Sequence, residues 1–267
     1  MSRLLNRLGT AASVAVAAAA LAACGGAGAG AAPAEMFAAP AADAPNVIFS
    51  NLSADPAAGT DAAEGEPWAQ RAVQVVEQLP VYAEPGGDVL VELGPVTDFG
   101  TPRVLGVIDV PAELGGEWVE VLVPIRPNDL TGWVDADSVE LEAVEYAVHI
   151  DVDARMLWLA ERGEVIGSWQ VAVGQPDRPT PRGAFFITDK LDTGDPDSVW
   201  GPYAFGLSAY SDVLTDFIGG VGQIGLHGTN NPASIGNAAS SGCIRLPNEV
   251  ITELIELLPL GTPVTIV

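Results

Sequence analysis

Positive charge is scarce in this chain of 267 residues: 11 Lys and Arg stand against 35 Asp and Glu, for a net charge of −24. A nucleic-acid binder needs a basic face to neutralise phosphate, so the balance argues against that class. The same balance argues against electrostatic docking onto anionic lipid. Cysteine and histidine are equally sparse, two of each, which rules out a zinc-finger cluster and a disulfide framework. The single lysine, Lys190, has Ile187 three positions before it, so the Ser-x-x-Lys arrangement of a serine acyl-enzyme is missing. No His-Glu-x-x-His spacing exists for a zinc peptidase either. What is plentiful is Gly (30) and Pro (21), in a chain that is 48% hydrophobic and only 17% charged. That composition predicts linker and turn-rich β structure, and the length suffices for one or two domains with real cores.

The first residues, MSRLLNRLGTAASVAVAAAALAACGG, carry Arg3 and Arg7 ahead of a small, apolar run. This reads as a secretory signal over 1–23; the run is short for a membrane span of about 20 residues. It ends in Leu21-Ala22-Ala23-Cys24, which resembles a bacterial lipobox. The resemblance implies that Cys24 becomes the lipidated first residue of the mature chain, anchored to the cell membrane and facing the cell wall. Cys243 is then the one thiol left, in an oxidising compartment and without an intramolecular partner. Such a cysteine is either an intermolecular crosslinker or a reactive group.

Residues 24–67 contain 26 Ala, Gly or Pro in 44 positions and no Lys or Arg, the composition of a flexible tether. Residues 68–142 carry short β-type runs at 72–76, 87–93, 103–110, 117–125 and 132–141, which predict a small β-barrel or sandwich. The stretch WVEVLVPIRPNDLTGWVDADSVEL is similar to the end of bacterial SH3-like modules, with Trp118 and Trp133 expected in its core. Residues 143–267 predict a mainly β domain with one helix. MLWLAERGEVIGSWQVAVG reads as a hairpin turning at Glu161–Glu164, and GAFFITDK as a strand over 183–190. A long loop is expected over about 191–213. NEVITELIELL over 248–258 has helical spacing, with Asn248 as a cap and Gly261 as a stop. His149 is expected as an exposed strand residue.

One segment carries the chemistry. Ile224-Gly225-Leu226-His227-Gly228-Thr229 runs on to Ser240-Ser241-Gly242-Cys243-Ile244-Arg245, bringing the second cysteine and a histidine within 16 residues. An imidazole can take the thiol proton and stabilise the thiolate nucleophile. The small, turn-prone residues between them let the chain return. Glycines around Cys243 permit a tight turn that aims backbone N–H groups at a developing oxyanion.

HGTNNPASIGNAASSGCIRL resembles the signature of the L,D-transpeptidase (YkuD) catalytic domain: His-Gly, a spacer, then Ser-x-Gly-Cys, a hydrophobic residue and Arg. Thr180-Pro181-Arg182-Gly183 is similar to the family's Thr-Pro-x-Gly turn, and Gly201–Leu207 to the loop before its active site. The resemblance covers residues 145–267. It implies a YkuD-like β-sandwich in which Cys243 is the nucleophile and His227 its base, oriented by the Gly228 carbonyl. Gly242 and Cys243 would supply the oxyanion N–H groups. Arg245 would shape the site or hold a substrate carboxylate, with Ser241, Trp200 and Tyr203 among the substrate contacts. Many members have His where this chain has Ser241, so His227 has no second motif histidine to share its role. The implied reaction uses peptidoglycan stem peptides and no cofactor or metal. It joins stems by 3→3 crosslinks, or, if water replaces the acceptor amine, acts as an L,D-carboxypeptidase. A non-catalytic, wall-binding lipoprotein is the remaining alternative.

Overall fold

The computed structural model describes residues 69–215 and 222–267. The signal expected over 1–23, the Cys24 lipidation site and the tether over 24–67 lie outside the described residues. Within them the architecture is mainly β, with one α-helix.

The N-terminal unit is a seven-stranded antiparallel sheet: β1 (Ala69–Gln74), β2 (Leu79–Tyr82), β3 (Val89–Leu93), β4 (Val104–Asp109), β5 (Trp118–Leu122), β6 (Thr131–Asp135) and β7 (Val139–Val144). Their order is β3-β2-β6-β5-β4-β1-β7. The run predicted as one strand over 132–141 is two, β6 and β7, broken by a 3-10 turn at Ala136–Ser138. Asp135 caps that turn, its carboxylate accepting from the Asp137 N–H at 2.8 Å. Period-two alternation buries Val119, Val121 and Val134. It therefore turns Trp118 and Trp133 outward, where they are half-buried rather than in the core. Trp133 pairs across from Glu120 and Tyr82, and Tyr82 meets Trp118 edge-on at 5.4 Å.

The second sheet is built from β8 (Tyr146–Asp151), β9 (Met156–Glu161), β10 (Glu164–Gln170), β12 (Gly183–Asp192), β13 (Tyr203–Tyr210), β14 (Gln223–His227), β16 (Ile244–Arg245) and β17 (Pro263–Ile266). A parallel pair, β11 (Val173–Gly174) and β15 (Ala238–Ser240), stands beside it. The order is β10-β9-β8-β17-β12-β13-β14-β16. The hairpin turn falls where predicted: Arg162 and Gly163 both have positive φ, 48° and 84°, matching the right-handed twist of the flanking strands. Helix α1 (Asn248–Leu257) buries Val250, Ile251, Leu254 and Ile255 against the sheet. The expected loop over 191–213 is interrupted by a strand. β13 occupies its second half, and Ala204 to Ala209 are all buried between β12 and β14. A strand covered on both faces loses alternation, and its Gly206 disguised it further.

β12 joins the two units. Phe185 faces the core of the second sheet, with Ile187, Phe205 and Leu226. Phe186, on the opposite face, belongs to the core of the first, with Leu105, Val107 and Val121. Gly106 makes that approach possible: a Cβ there would sit 2.9 Å from the Phe186 ring. Polar contacts surround this plug. The Asn128 amide accepts from the Tyr210 N–H and donates to the Tyr210 carbonyl, both at 2.8 Å, imitating a strand neighbour. The Tyr210 hydroxyl donates to the Pro124 carbonyl (2.8 Å), and Arg126 lies over its ring. The carboxylate of Asp189, 1% exposed, accepts from Thr97 and Thr188 at 2.5 and 2.7 Å. Arg71 ties Glu142 to the Leu260 carbonyl, and Gly261 (φ 81°) lets its stem pass. Gly261 thus serves this crossing; α1 has already ended, at Leu258 in extended conformation.

Candidate active site

The central geometry follows from strand register. β14 and β16 run parallel, with His227 opposite Arg245. Cys243 lies two residues before Arg245, immediately ahead of β16, so the strand pairing brings it to the end of the ladder that holds His227. On the other side His227 pairs with Ala204, whose small side chain leaves room for the ring. Both candidate side chains are deep: Cys243 is 2% exposed and His227 0%. Cys243 forms no disulfide.

His227 Nδ1 lies 2.6 Å from the Gly228 carbonyl oxygen. Two acceptors would repel at that distance, so Nδ1 carries the proton and donates. In the neutral ring Nε2 is then the bare acceptor. Nε2 is buried and has no hydrogen-bond partner. A buried acceptor without a partner costs free energy, on the order of 1–3 kcal/mol. A catalytic role is one of the physical reasons for such a group to persist.

The His227–Gly228 turn is clamped from α1. Asn248, read from the sequence as a cap, is instead the first helical residue, after Pro247. Its amide oxygen accepts from the Thr229 N–H at 2.7 Å, and its amide nitrogen donates to the Pro196 carbonyl at 3.2 Å. Gly201 (φ 63°) and Gly228 both press on that amide: a Cβ on either would lie 2.3 or 2.4 Å from Asn248 Oδ1. The loop over 193–202 is drawn against the histidine turn in this way, and Thr193 closes it by donating to the Gly201 carbonyl at 2.6 Å. Nothing in the sequence pattern marks Asn248 for this role, since its partners are 19 and 52 residues away.

The residues expected around the pair fare differently. Gly242 has φ 119°, which favours glycine. Its N–H donates to Ser240 Oγ at 3.1 Å, and Ser240 Oγ donates onward to the Cys243 carbonyl at 2.5 Å. The Gly242 amide, expected as an oxyanion donor, is therefore engaged in this conformation. Ser241 is buried and its hydroxyl accepts from Arg178 at 2.8 Å. Arg245 is 3% exposed, with its backbone clasped to Ala172 on both sides, so a substrate carboxylate would have to enter the interior to reach it. Trp200 and Tyr203 are half-buried beside the clamped loop; the Tyr203 carbonyl accepts from the Gly228 N–H at 3.2 Å, and its ring packs on the core. His149 is half-buried against Trp158 (5.8 Å) rather than exposed, and that burial lowers its pKa.

A buried cysteine and a buried histidine on neighbouring parallel segments of a β scaffold are the parts that a thiol–imidazole site requires. The model of the L,D-transpeptidase catalytic domain, YkuD, matches residues 145–266. The L,D-transpeptidase-family protein YkuD of Bacillus licheniformis is 35% identical over 125 residues, 47% of this chain and 67% of that protein. Its namesake from Bacillus subtilis is 36% identical over 123 residues, 46% and 66% respectively. The chain belongs to the L,D-transpeptidase (YkuD) family, and its matching part spans about two thirds of those relatives. Among solved structures, L,D-transpeptidase 3 of Mycobacterium tuberculosis superposes with a TM-score of 0.42 at 14% identity, over 62% of this chain and 91% of that one.

Proposed function

We propose that this chain is a cysteine-dependent L,D-transpeptidase that forms 3→3 crosslinks between peptidoglycan stem peptides. The observation carrying the reading is the His227 ring: Nδ1 is held by Gly228 and Nε2 is buried without a partner. In the first half-reaction Nε2 takes the Cys243 thiol proton, and sulfur attacks the carbonyl of the third residue of a stem tetrapeptide. The bond to the terminal D-Ala breaks, and the imidazolium gives its proton to the leaving amine. A thioester remains. In the second half-reaction the side-chain amine of a neighbouring stem attacks the thioester, Nε2 takes a proton from that amine, and the amide forms as the thiolate leaves. General acid–base help of this kind contributes about 10²–10⁴ in rate. Arg178, bonded to Ser241, and Asn248, bonded to Thr229, keep the two halves of the site in place.

Burial of Cys243 and His227 favours transfer over hydrolysis, because a thioester kept from bulk water survives until an amine arrives. In the same reading the Leu21-Ala22-Ala23-Cys24 pattern tethers the enzyme through lipid on Cys24 to the membrane facing the wall, and the residues over 68–142 form an SH3-like module ahead of a catalytic domain over 143–267.

The test is to incubate the chain from residue 25 onward with disaccharide-tetrapeptide, following it by intact mass and product chromatography beside Cys243→Ala. An adduct on Cys243, D-Ala release and a 3→3 dimer are expected. Tripeptide alone, with acceptor abundant, identifies an L,D-carboxypeptidase. No adduct and no release from folded protein would overturn the catalytic reading in favour of wall binding alone.

A further inference from the structure

Against a net charge of −24, Arg178 bonds to the turn that carries Cys243, and Arg155 and Arg182 lie near the segment that holds Arg178. A cavity of about 250 Å³ opens there, lined by Asp153, Arg155, Gln175, Pro179, Thr180 and Arg182 among others. Its walls are the turn between β8 and β9 and the segment over 175–182. That segment is bonded to each residue leading into the nucleophile. The Gln175 N–H donates to the Ser240 carbonyl at 3.0 Å, Arg178 to the Ser241 hydroxyl at 2.8 Å, and the Thr180 hydroxyl to the Gly242 carbonyl at 2.8 Å. The cavity is thus fixed in register with Cys243.

Its charges are accessible. Arg155 and Arg182 are exposed, whereas Arg245 is buried. Arg182 pairs with Asp153 at 2.9 Å, a surface pair that a ligand can exchange at little cost. Arg155 donates one weak bond to the Gly236 carbonyl at 3.3 Å, leaving other donors of its fork directed elsewhere. It also sits at φ 55°, where Gly or Asn would be more comfortable, so the backbone has no need of arginine at that place. Guanidinium forks match carboxylates, and an acidic chain repels a carboxylate ligand everywhere except near such a pair.

We infer that this cavity is a carboxylate subsite: Arg155 and Arg182 hold an acidic peptide beside the segment over 175–182 that is bonded to the Ser240–Gly242 turn. On the proposed function, on which the inference rests, that ligand is a stem peptide carrying free carboxylates. Asp153 offers a site for an ammonium group of the same peptide.

The experiment titrates two peptides into the full chain bearing Cys243→Ala, by calorimetry: a disaccharide-tetrapeptide with free carboxylates and the same compound amidated. Adding Arg155→Ala and Arg182→Ala together weakens binding of the free acid about tenfold or more, leaves the amidated compound unchanged, and flattens the salt dependence. The corresponding Arg→Lys pair restores part of the loss. Equal affinity before and after, or equal losses for both peptides, overturns the inference. With Cys243 intact, an acyl adduct is scored separately. Charge-selective binding without an adduct keeps the subsite and removes the transpeptidase; an adduct indifferent to both arginines does the reverse.

Discussion

Phe186→Ala tests whether the two sheets are one cooperative body. The ring is 0% exposed and projects from the second sheet into the core of the first, over Gly106. Removing it deletes most of a buried phenylalanine and leaves a cavity between two backbones that cannot close in, since β4 and β12 are each fixed in their own ladders. Phe→Ala in such settings costs about 3–5 kcal/mol. For a body of this size about 1 kcal/mol shifts the melting temperature by roughly 2–4 °C, so a drop of about 6–20 °C is expected. The assay is thermal unfolding followed by near-ultraviolet circular dichroism, whose aromatic signal comes from both units. Wild-type protein should melt in one transition. Phe186→Ala should melt earlier, with the N-terminal unit released first. A loss below about 1 kcal/mol, or two transitions already in the wild type, would refute the coupling.

Other outcomes follow from the site. His227→Gln should lower acylation of Cys243 by about 10²–10⁴ at neutral pH, measured by the rate of adduct formation in intact-mass spectra; equal rates would remove His227 as the base. Gly201→Ala places a Cβ against Asn248 Oδ1 at a positive φ, and should loosen the Thr229 bond and slow acylation while the fold survives; the check is acylation rate beside an unchanged far-ultraviolet spectrum. Burial lowers the pKa of His149, so the unfolded chain binds a proton that the folded chain refuses. The stability this gives to the neutral form is complete above the unfolded value near 6.5 and declines as pH falls from there towards the lowered native value. Urea unfolding of wild type and His149→Gln across pH 5–8 should diverge in that window, with the variant less acid-sensitive; parallel curves would contradict it.

The family signature of this protein was legible in one dimension because it is local. Histidine followed by glycine, and a Ser-x-Gly-Cys-Ile-Arg run whose cysteine is 16 residues on, bring an imidazole and a thiol to neighbouring parallel segments once the intervening loop folds. The glycine carbonyl that orients the ring is the adjacent residue, within reach of Nδ1 by covalent geometry. The hairpin at Arg162–Gly163 and the amphipathic helix were legible for the same reason: each depends on a period or a turn contained in its own segment.

What required the tertiary structure depends on residues far apart in sequence. β13 is covered on both faces, so its sequence carries no alternation and resembled a loop. Trp118 and Trp133 look like core residues by type, yet strand parity sends the valines inward and the tryptophans out. Asn248, legible as a cap, instead binds the histidine turn and the loop over 193–202, because the chain brings both to the start of the helix. Gly242 has the backbone freedom its motif suggested, but its amide points to Ser240. The carboxylate cavity is assembled from turns that are neighbours only after folding. Sequence alone determined the family and named the candidate residues; packing decided what each of them touches, since contact across a sheet is set by register and burial, which no single strand contains.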